Sequence, residues 1–200
     1  MLLEHQDLAP TVDPDAYVAP TATLCGDVRV GPGCRVLFGA VLTAEGGPVE
    51  LAEGCIVMEN AVLRGTRRDP LRLGRHVLVG PGAYLTGATV EDDVFLATGS
   101  RVFNGARVGT RAEVRINGTV HLRTVLAPDA TVPIGWVAVG DPARILPPGA
   151  HEGIWSVQRE LDFPGYVFGL DRPDEGATLM PELSRRYGRQ LARHHDDRPL

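Results

Sequence analysis

The sequence predicts a left-handed parallel β-helix with a C-terminal α-helical segment, and three observations lead to this fold class. Leu or Val recurs at every sixth residue over most of the chain. A small or compact side chain almost always stands four residues after each of these positions. The 200 residues include 24 Gly and 16 Pro but only 6% aromatics, a composition that favours many tight corners over a helical bundle.

The six-residue repeat comprises twenty positions, which we call rungs. They are Val12, Val18, Leu24, Val30, Val36, Leu42, Leu51, Val57, Leu63, Leu73, Val79, Leu85, Val90, Leu96, Val102, Val108, Val114, Val120, Leu126 and Val132. An alternating β-sandwich, the other fold considered, would need a period of about 2 and longer runs of Val, Ile and aromatics. Three short strands per triangular coil, stacked at about 4.8 Å, give roughly six to seven coils.

Three irregular spacings interrupt the repeat. The step from Leu42 to Leu51 is nine residues, the step from Leu63 to Leu73 is ten, and the step from Leu85 to Val90 is five. Counting three rungs per coil places Leu42, Leu63 and Leu85 in one column. All three irregularities therefore fall on the same edge in consecutive coils, where a rigid solenoid would present a functional site.

The repeat divides the chain into an N-terminal arm (1–11), a β-helix domain (12–146) and a C-terminal helical cap and tail (147–200). Residues 150–161 have helical spacing of apolar residues and are expected to cover the solenoid. Leu183, Tyr187 and Leu191 indicate a second helix. The terminal "HHDD", residues 194–197, is expected to be disordered rather than metal-binding.

Composition also restricts the class of function. The net charge of −5 offers no basic field for nucleic acid, and no apolar run reaches the ~18 residues of a membrane span. Neither a nucleic-acid nor a membrane partner is expected, and we expect a cytoplasmic protein. Cys34 and Cys55 stand at inward small positions as apolar fillers, whereas Cys25 follows a rung and is expected to be more exposed.

Four segments carry a family resemblance. They are "AVLTAEG", "VMENAVLR", "LGRHVLVGPGAYLTGATVEDDVFLATGSRVFNGA" and "GDPARIL". Together they resemble the γ-class carbonic anhydrase family over roughly residues 10–146. The resemblance implies a left-handed β-helix, a homotrimer, and a zinc ion at the subunit interface bound by three histidines. Two of these histidines come from one chain and the third from its neighbour.

The residues at the family's three histidine positions are Arg64, Pro81 and Thr86 in this sequence. Zinc in such a site requires neutral imidazole or carboxylate donors at about 2.0 Å. A guanidinium removes a donor and repels the ion. We therefore expect no zinc at these positions and predict no cofactor.

The residues around the family's zinc are also changed. The resemblance aligns the family's Arg-Gly-Asp element and its Gln-Asp pair with these residues: Thr43, Ala44, Glu45, Met58 and Glu59. Arg64 could supply the positive charge that zinc supplies in the family, with Glu59 and Glu45 as counter-charges. Two interpretations stay open, an ionic lock at a trimer interface and a pocket for a small anion.

Two functions follow from these observations. The first is a γ-carbonic-anhydrase-like homotrimer with a degenerate zinc site, lacking CO2 hydration activity and acting as a small-ligand binding or structural protein. The alternative is a hexapeptide acyltransferase or thioesterase with a site at the subunit interface, using His121 as general base and binding acyl-CoA. The sequence leaves open whether the chain is an enzyme.

Overall fold

The computed structural model of the chain describes residues 1–174 and 176–200, and short strands dominate it. In chain order the strands are β1 (Leu2–Glu4), β2 (Thr11–Val12), β3 (Tyr17–Val18), β4 (Thr23–Cys25), β5 (Val28–Val30), β6 (Arg35–Val36), β7 (Val41–Glu45), β8 (Val49–Leu51), β9 (Ile56–Val57), β10 (Val62–Thr66), β11 (Leu71–Leu73), β12 (Leu78–Val79), β13 (Tyr84–Thr86), β14 (Thr89–Val90), β15 (Phe95–Leu96), β16 (Arg101–Val102), β17 (Arg107–Val108), β18 (Glu113–Val114), β19 (Thr119–Val120), β20 (Val125–Leu126), β21 (Thr131–Val132), β22 (Val137–Val139), β23 (Arg144–Leu146) and β24 (Arg198–Pro199).

The strands form three sheets that make the three sides of a solenoid. Between β1 and β22, each strand pairs in parallel with the strand three positions further along the chain. The first sheet has the order β23-β22-β19-β16-β13-β10-β7-β4-β1-β24, and the other two contain seven strands each. Stacked parallel coils with short C-terminal helices confirm the predicted β-helix architecture.

The core of the solenoid is the column of rungs. Every rung from Leu24 to Val132 is buried, whereas Val12 and Val18, in the first coil, are only partly buried because no coil lies beneath them. Most of the small inward positions, such as Ala22, Ala40 and Ala61, are buried as well. The thiol of Cys34 donates to the carbonyl of Ala52 at 2.9 Å, and Cys55 makes the equivalent bond one coil further on. Each buried Leu or Val contributes about 1.5–3 kcal/mol.

Three helices follow the solenoid: α1 (His151–Gln158), α2 (Phe163–Phe168) and α3 (Met180–Leu191). Helix α1 packs against β22 at the last coil, and a 3₁₀ turn, Arg159–Leu161, extends it. Helices α2 and α3 contribute side chains to a cavity beside the first sheet. No helix in the described ranges 1–174 and 176–200 is long and apolar enough to cross a membrane.

The C-terminal tail is ordered, contrary to the prediction. Residues Ala192–Asp196 form a 3₁₀ turn, and β24 pairs antiparallel with β1 through Leu3 and Pro199. The segment predicted as an N-terminal arm therefore contributes a strand to the first sheet. Cys25 is also buried, at 3% exposure, rather than exposed. The reason is that the tail places Asp197 against the Cys25 thiol.

Candidate functional site

The irregular spacings do lie together on the first sheet. Strands β7 and β10 have five residues each and pair over their whole length, from Val41↔Val62 to Glu45↔Thr66. The extra residues form two loops after these strands, at 46–48 and 67–70. Strand β13, which carries the third irregularity, is the next neighbour of β10. The prediction that all three fall on one edge is confirmed.

The first loop approaches the end of β10 so closely that glycine is required on both sides of the contact. A Cβ on Gly65 would overlap the carbonyl oxygens of Gly47 and Pro48. A Cβ on Gly47 would likewise meet the carbonyl of Thr66. The backbone of the first loop therefore rests on the end of β10, and this contact fixes where the side chains beyond it are placed.

Register aligns a column of residues that follow the rungs on the first sheet. Thr43 pairs with Cys25 on one side and with Arg64 on the other, and Arg64 pairs with Thr86. Two of the three positions implied by the family resemblance are thus direct neighbours. Pro81 is not with them, since it lies in the turn between β12 and β13, away from the cavity described below.

The guanidinium of Arg64 forms an ion pair with Glu45, with Nη2 2.9 Å from Oε1. Glu45 is 7% exposed and Arg64 24%. Burial opposes the charge of Glu45, but a hydrogen bond from His194 and the charge of Arg64 outweigh it, so the pKa of Glu45 is below its ordinary value. Burial likewise opposes the charge of Arg64, but Glu45 prevails and raises the pKa of Arg64.

The prediction that Glu59 also neutralises Arg64 is wrong. Among the described residues, Glu59 has no cationic partner within 4.0 Å. Met58 and Glu59 lie in the turn that precedes β10, whereas Arg64 is the central residue of that strand. Among the described residues, the carboxylate that forms an ion pair with Arg64 is Glu45, at the end of the neighbouring strand β7.

A cavity of 730 Å3 opens beside this column. Its first wall is the solenoid, through Glu45, Arg64, Thr86 and Phe103. Its second wall is the C-terminal segment of the same chain, whose apolar and aromatic lining consists of Phe163, Tyr166, Val167, Phe168, Leu170, Leu183 and Tyr187. The Arg64 guanidinium carbon lies 5.9 Å from the centroid of the Tyr187 ring, so the cationic side chain bridges both walls.

The loop 67–70 anchors the second wall and adds positive charge at the cavity mouth. The hydroxyl of Tyr166 donates to Asp69 at 2.9 Å, and Arg68 lies 4.0 Å above the Tyr166 ring. Both Arg67 and Arg68 are exposed and line the cavity. Neither has a carboxylate within 4.0 Å in the part of the chain that the structure describes. These two cations are therefore available to an anionic ligand.

His121 lies in the same column, beyond Phe103, and does not line the cavity. Its ring centroid is 6.0 Å from that of Phe103, which stands between His121 and Thr86. Its Nδ1 is buried and, among the described residues, has no hydrogen-bond partner. Burial lowers the pKa of His121, so the imidazole is neutral at neutral pH and able to accept a proton.

Sequence reasoning missed the aromatic wall and the involvement of the tail. The helical spacing of Leu183 and Tyr187 did mark the face of α3 that lines the cavity. No signal in the sequence placed Tyr166 beside Asp69, 97 residues earlier. Nor did any signal place His194 beside Glu45, 149 residues earlier.

Comparison with known proteins shows relatives that are named as γ carbonic anhydrases or as CaiE. Gamma carbonic anhydrase 1, mitochondrial, of Arabidopsis thaliana is 32% identical over 151 residues, covering 72% of this chain and 53% of the relative. Gamma carbonic anhydrase 2, mitochondrial, of the same plant is 31% identical over 72% of this chain and 52% of the relative. The chain thus spans about half the length of these relatives. Carnitine operon protein CaiE of Salmonella agona is 29% identical over 70% of this chain and 68% of that protein.

Solved structures agree on the fold. LpxA of Bacteroides fragilis, a UDP-N-acetylglucosamine acyltransferase, aligns with a TM-score of 0.55 at 12% identity, covering 92% of this chain and 89% of its own. A Bacillus cereus protein provisionally named an acetyltransferase gives a TM-score of 0.52 at 22% identity, over 78% of this chain and 88% of its own. No protein-family model matches the chain. The sequence relatives and the shared solenoid show that the chain belongs to the γ-carbonic-anhydrase-like family of hexapeptide-repeat proteins.

Proposed function

We propose that this chain is a γ-carbonic-anhydrase-like protein in which the family's zinc position has become part of a binding site for a small organic anion. The observation that carries the proposal is the Arg64–Glu45 pair on the wall of the 730 Å3 cavity. The pair places a fixed guanidinium at the position where the family resemblance implies a zinc ligand. The protein then has no CO2 hydration activity, because no metal-bound water forms there.

The chemistry of the three residues does not fit the family's zinc. Arg64 and Thr86 are neighbours in register, but a guanidinium and a hydroxyl replace two imidazoles. Pro81 has no side-chain donor at all. No step of a zinc-hydroxide mechanism is therefore assigned to this site.

The lining defines the class of ligand. Arg64, Arg67 and Arg68 offer a positive end, and the aromatic wall that includes Tyr166 and Tyr187 offers an apolar one. A guanidinium binds carboxylate or phosphate through paired N–H donors. A cavity of this volume accommodates a drug-sized molecule. The ligand is then a carboxylate or phosphate ester with an aromatic or aliphatic body.

Isothermal titration calorimetry with acetate, phosphate, benzoate and acetyl-CoA tests this proposal. Benzoate should bind more tightly than acetate, since only benzoate fills the aromatic end. Arg68→Gln should weaken benzoate binding about tenfold, the loss of one charged hydrogen bond. Arg107→Gln is the matched control, because Arg107 is exposed on a different sheet. Binding of none of the four probes, or equal weakening in both variants, would contradict the proposal.

The homotrimer is part of the same proposal, and it separates the two interpretations of Arg64. In an interface lock, Arg64→Ala should shift the molar mass measured by light scattering from trimer towards monomer. In an anion pocket, Arg64→Ala should keep the mass and abolish benzoate binding. The pocket is favoured because Arg64 lines the 730 Å3 cavity, which an ionic lock would not require.

A second candidate function, acyl transfer with His121 as general base, is favoured by one observation. A buried imidazole nitrogen without a partner and with a lowered pKa is suited to accept a proton from an acceptor hydroxyl or amine. The test measures release of free CoA from acetyl-CoA in the presence of amine and alcohol acceptors. Release that His121→Ala abolishes would support this function, and no release above background would eliminate it.

A further inference from the structure

Four side chains with metal-binding atoms converge where the C-terminal tail crosses the first coil. They are His5, Cys25, His194 and Asp197, and one ligand atom from each lies within 4.8 Å of all the others. They come from three separate segments of the chain: the end of β1, the end of β4 and the tail. None belongs to the cavity described above.

Asp197 stands at the centre of this cluster. Its Oδ1 lies 2.6 Å from Nδ1 of His5, and its Oδ2 lies 2.8 Å from Nδ1 of His194. The same Oδ2 accepts from the thiol of Cys25 at 3.4 Å. The two imidazole rings are stacked with centroids 4.3 Å apart, so both turn their Nδ1 atoms towards the one carboxylate.

The cluster is built into the fold rather than spread over the surface. His5 and Cys25 are each 3% exposed, and the Asp197 side chain is 13% exposed. The backbone fixes the positions on both sides, since β24 pairs with β1 directly beside Asp197 and His5. Cys25 is the last residue of β4 and pairs with Thr43. Strand pairing thus holds His5, Cys25 and Asp197 together, and His194 lies three residues before Asp197 in the 3₁₀ turn.

We propose that this cluster is a structural zinc site with His5, Cys25, His194 and Asp197 as ligands. The donor set of two imidazoles, a thiolate and a carboxylate suits zinc and excludes the hard cations Mg²⁺ and Ca²⁺, which prefer oxygen. Ligand atoms of a tetrahedral zinc site lie about 3.3–3.7 Å apart, given bonds of about 2.0–2.3 Å. The ligand atoms here are all within 4.8 Å of one another, and His5 and Asp197 are as close as 2.6 Å, so side-chain rotations would bring them to that geometry.

The protons of the ligands are accounted for when zinc binds. The thiol proton of Cys25 is released to solvent as the sulfur becomes a thiolate ligand. Each imidazole binds through an unprotonated Nδ1 and keeps its proton on Nε2.

The outer contact of His194 matches this arrangement. Nε2 of His194 lies 2.9 Å from Oε1 of Glu45, and an N–H at this atom would donate to the carboxylate. Zinc-bound histidines typically donate their second ring nitrogen to such a carboxylate, which holds the ring in position. At His5, the amide nitrogen of Gln6 lies 2.6 Å from Nε2 and is a donor, so the Gln6 amide would have to turn its oxygen towards Nε2 when His5 keeps its proton there.

The proposed site is distinct from the family's zinc position. Cys25 is in the same column as Arg64 but two strands away, or about 9–10 Å by strand spacing. No ligand is shared between the two positions. The zinc would act as a clip that holds the tail on the first coil, and through Glu45 it would support Arg64.

Metal analysis of the full chain tests the proposal. The protein is stripped with chelator, given one equivalent of Zn²⁺, passed over a desalting column and analysed for metal, and it should retain about one zinc per chain. With Co²⁺ it should show a thiolate-to-cobalt charge-transfer band. Cys25→Ser should lose that band while Cys34 and Cys55 remain. His194→Ala should weaken zinc binding by more than about tenfold.

His195→Ala is the matched control, because His195 is the next residue along the chain but is exposed and outside the cluster. It should bind zinc like the wild type. His194→Ala changes only a tail residue, so its circular dichroism spectrum should show an intact solenoid and keep the comparison interpretable. A folded wild type that retains no more zinc than His194→Ala, or a charge-transfer band that survives in Cys25→Ser, would overturn the proposal.

Discussion

Arg64 Nη2 lies 2.9 Å from Glu45 Oε1, at the point where strands β7 and β10 extend beyond the regular coil. The Arg64–Glu45 pair connects the cavity with the C-terminal tail. On one side it lines the cavity, and on the other Glu45 contacts His194 of the tail. A change at either residue should therefore be detected both in ligand binding and in the stability of the tail.

Arg64→Ala should lower the free energy of unfolding by about 2–4 kcal/mol, because it leaves a carboxylate of 7% exposure with only His194 as partner. Urea unfolding followed by circular dichroism measures this. Arg72→Ala is the control, since Arg72 forms an exposed pair with Glu50 that is worth at most about 1 kcal/mol. Equal losses in the two variants would show that the Arg64–Glu45 pair carries no special stability.

Gly65→Ala should destabilise the protein by about 1–3 kcal/mol, because the added methyl group overlaps the carbonyl oxygens of Gly47 and Pro48. The loop 67–70 should shift, and benzoate binding should weaken with it. Differential scanning fluorimetry and calorimetry measure the two effects. Gly149→Ala, with no atom within 4 Å of the added methyl, should change the stability by less than about 0.5 kcal/mol.

His121 should make the protein less stable in acid. Burial lowers the pKa of His121 in the folded state, so the unfolded chain binds the proton more readily. Above the ordinary histidine pKa of about 6.5, the neutral ring makes its full contribution to the free energy of unfolding. This contribution is lost as the pH falls below that value. His121→Phe removes this contribution and can stack on Phe103.

The measurement for His121 is the urea midpoint at two pH values, one above and one well below 6.5. The midpoint of His121→Phe should fall less between them than that of the wild type. The urea midpoints at the higher pH serve as the control. The wild-type His121 ring is neutral there in both the folded and the unfolded state, so the two proteins differ only in packing. An equal fall in the two proteins would contradict the prediction.

Tyr166→Phe should loosen the C-terminal segment from the solenoid. The hydroxyl of Tyr166 donates to Asp69 at 2.9 Å, and a hydrogen bond to a carboxylate is worth about 1.5–3 kcal/mol. Limited proteolysis should cleave the C-terminal segment roughly tenfold faster while the solenoid stays intact, as each 1.4 kcal/mol of opening free energy is a factor of about ten. Tyr17→Phe, at an exposed position of β3, should leave the rate unchanged.

The solenoid could be predicted because every coil repeats the same local rule. Leu63 is buried by Leu42 and Leu85 in the neighbouring strands, and the six-residue spacing alone specifies that arrangement. The same counting placed Arg64 beside Thr86. The sequence predicts both Glu45 and Glu59 as counter-charges of Arg64. Glu45 is correct and Glu59 is not, because both are near in sequence and only the extended pairing of β7 with β10 places Glu45 beside Arg64.

The contacts of the C-terminal segment could not be predicted in this way. The tail has no periodicity, and its partners lie far away in sequence, as in the pair of His5 and Asp197, which are 192 residues apart. A short polar segment such as residues 194–197 has the composition of a disordered tail. What orders it is a specific set of side-chain partners and one strand pairing, and neither leaves a pattern in the sequence.

The first sheet ends in an antiparallel strand on both sides, β24 beyond β1 and β23 beyond β22. Parallel stacking otherwise leaves each end of a solenoid with an open row of N–H and C=O groups, onto which another molecule could add its own coil. A strand of reversed direction breaks the register that such an addition would need. On the first sheet, β24 and β23 therefore oppose end-to-end growth into fibres, and deletion of residues 198–200 should expose the edge of β1 to self-association.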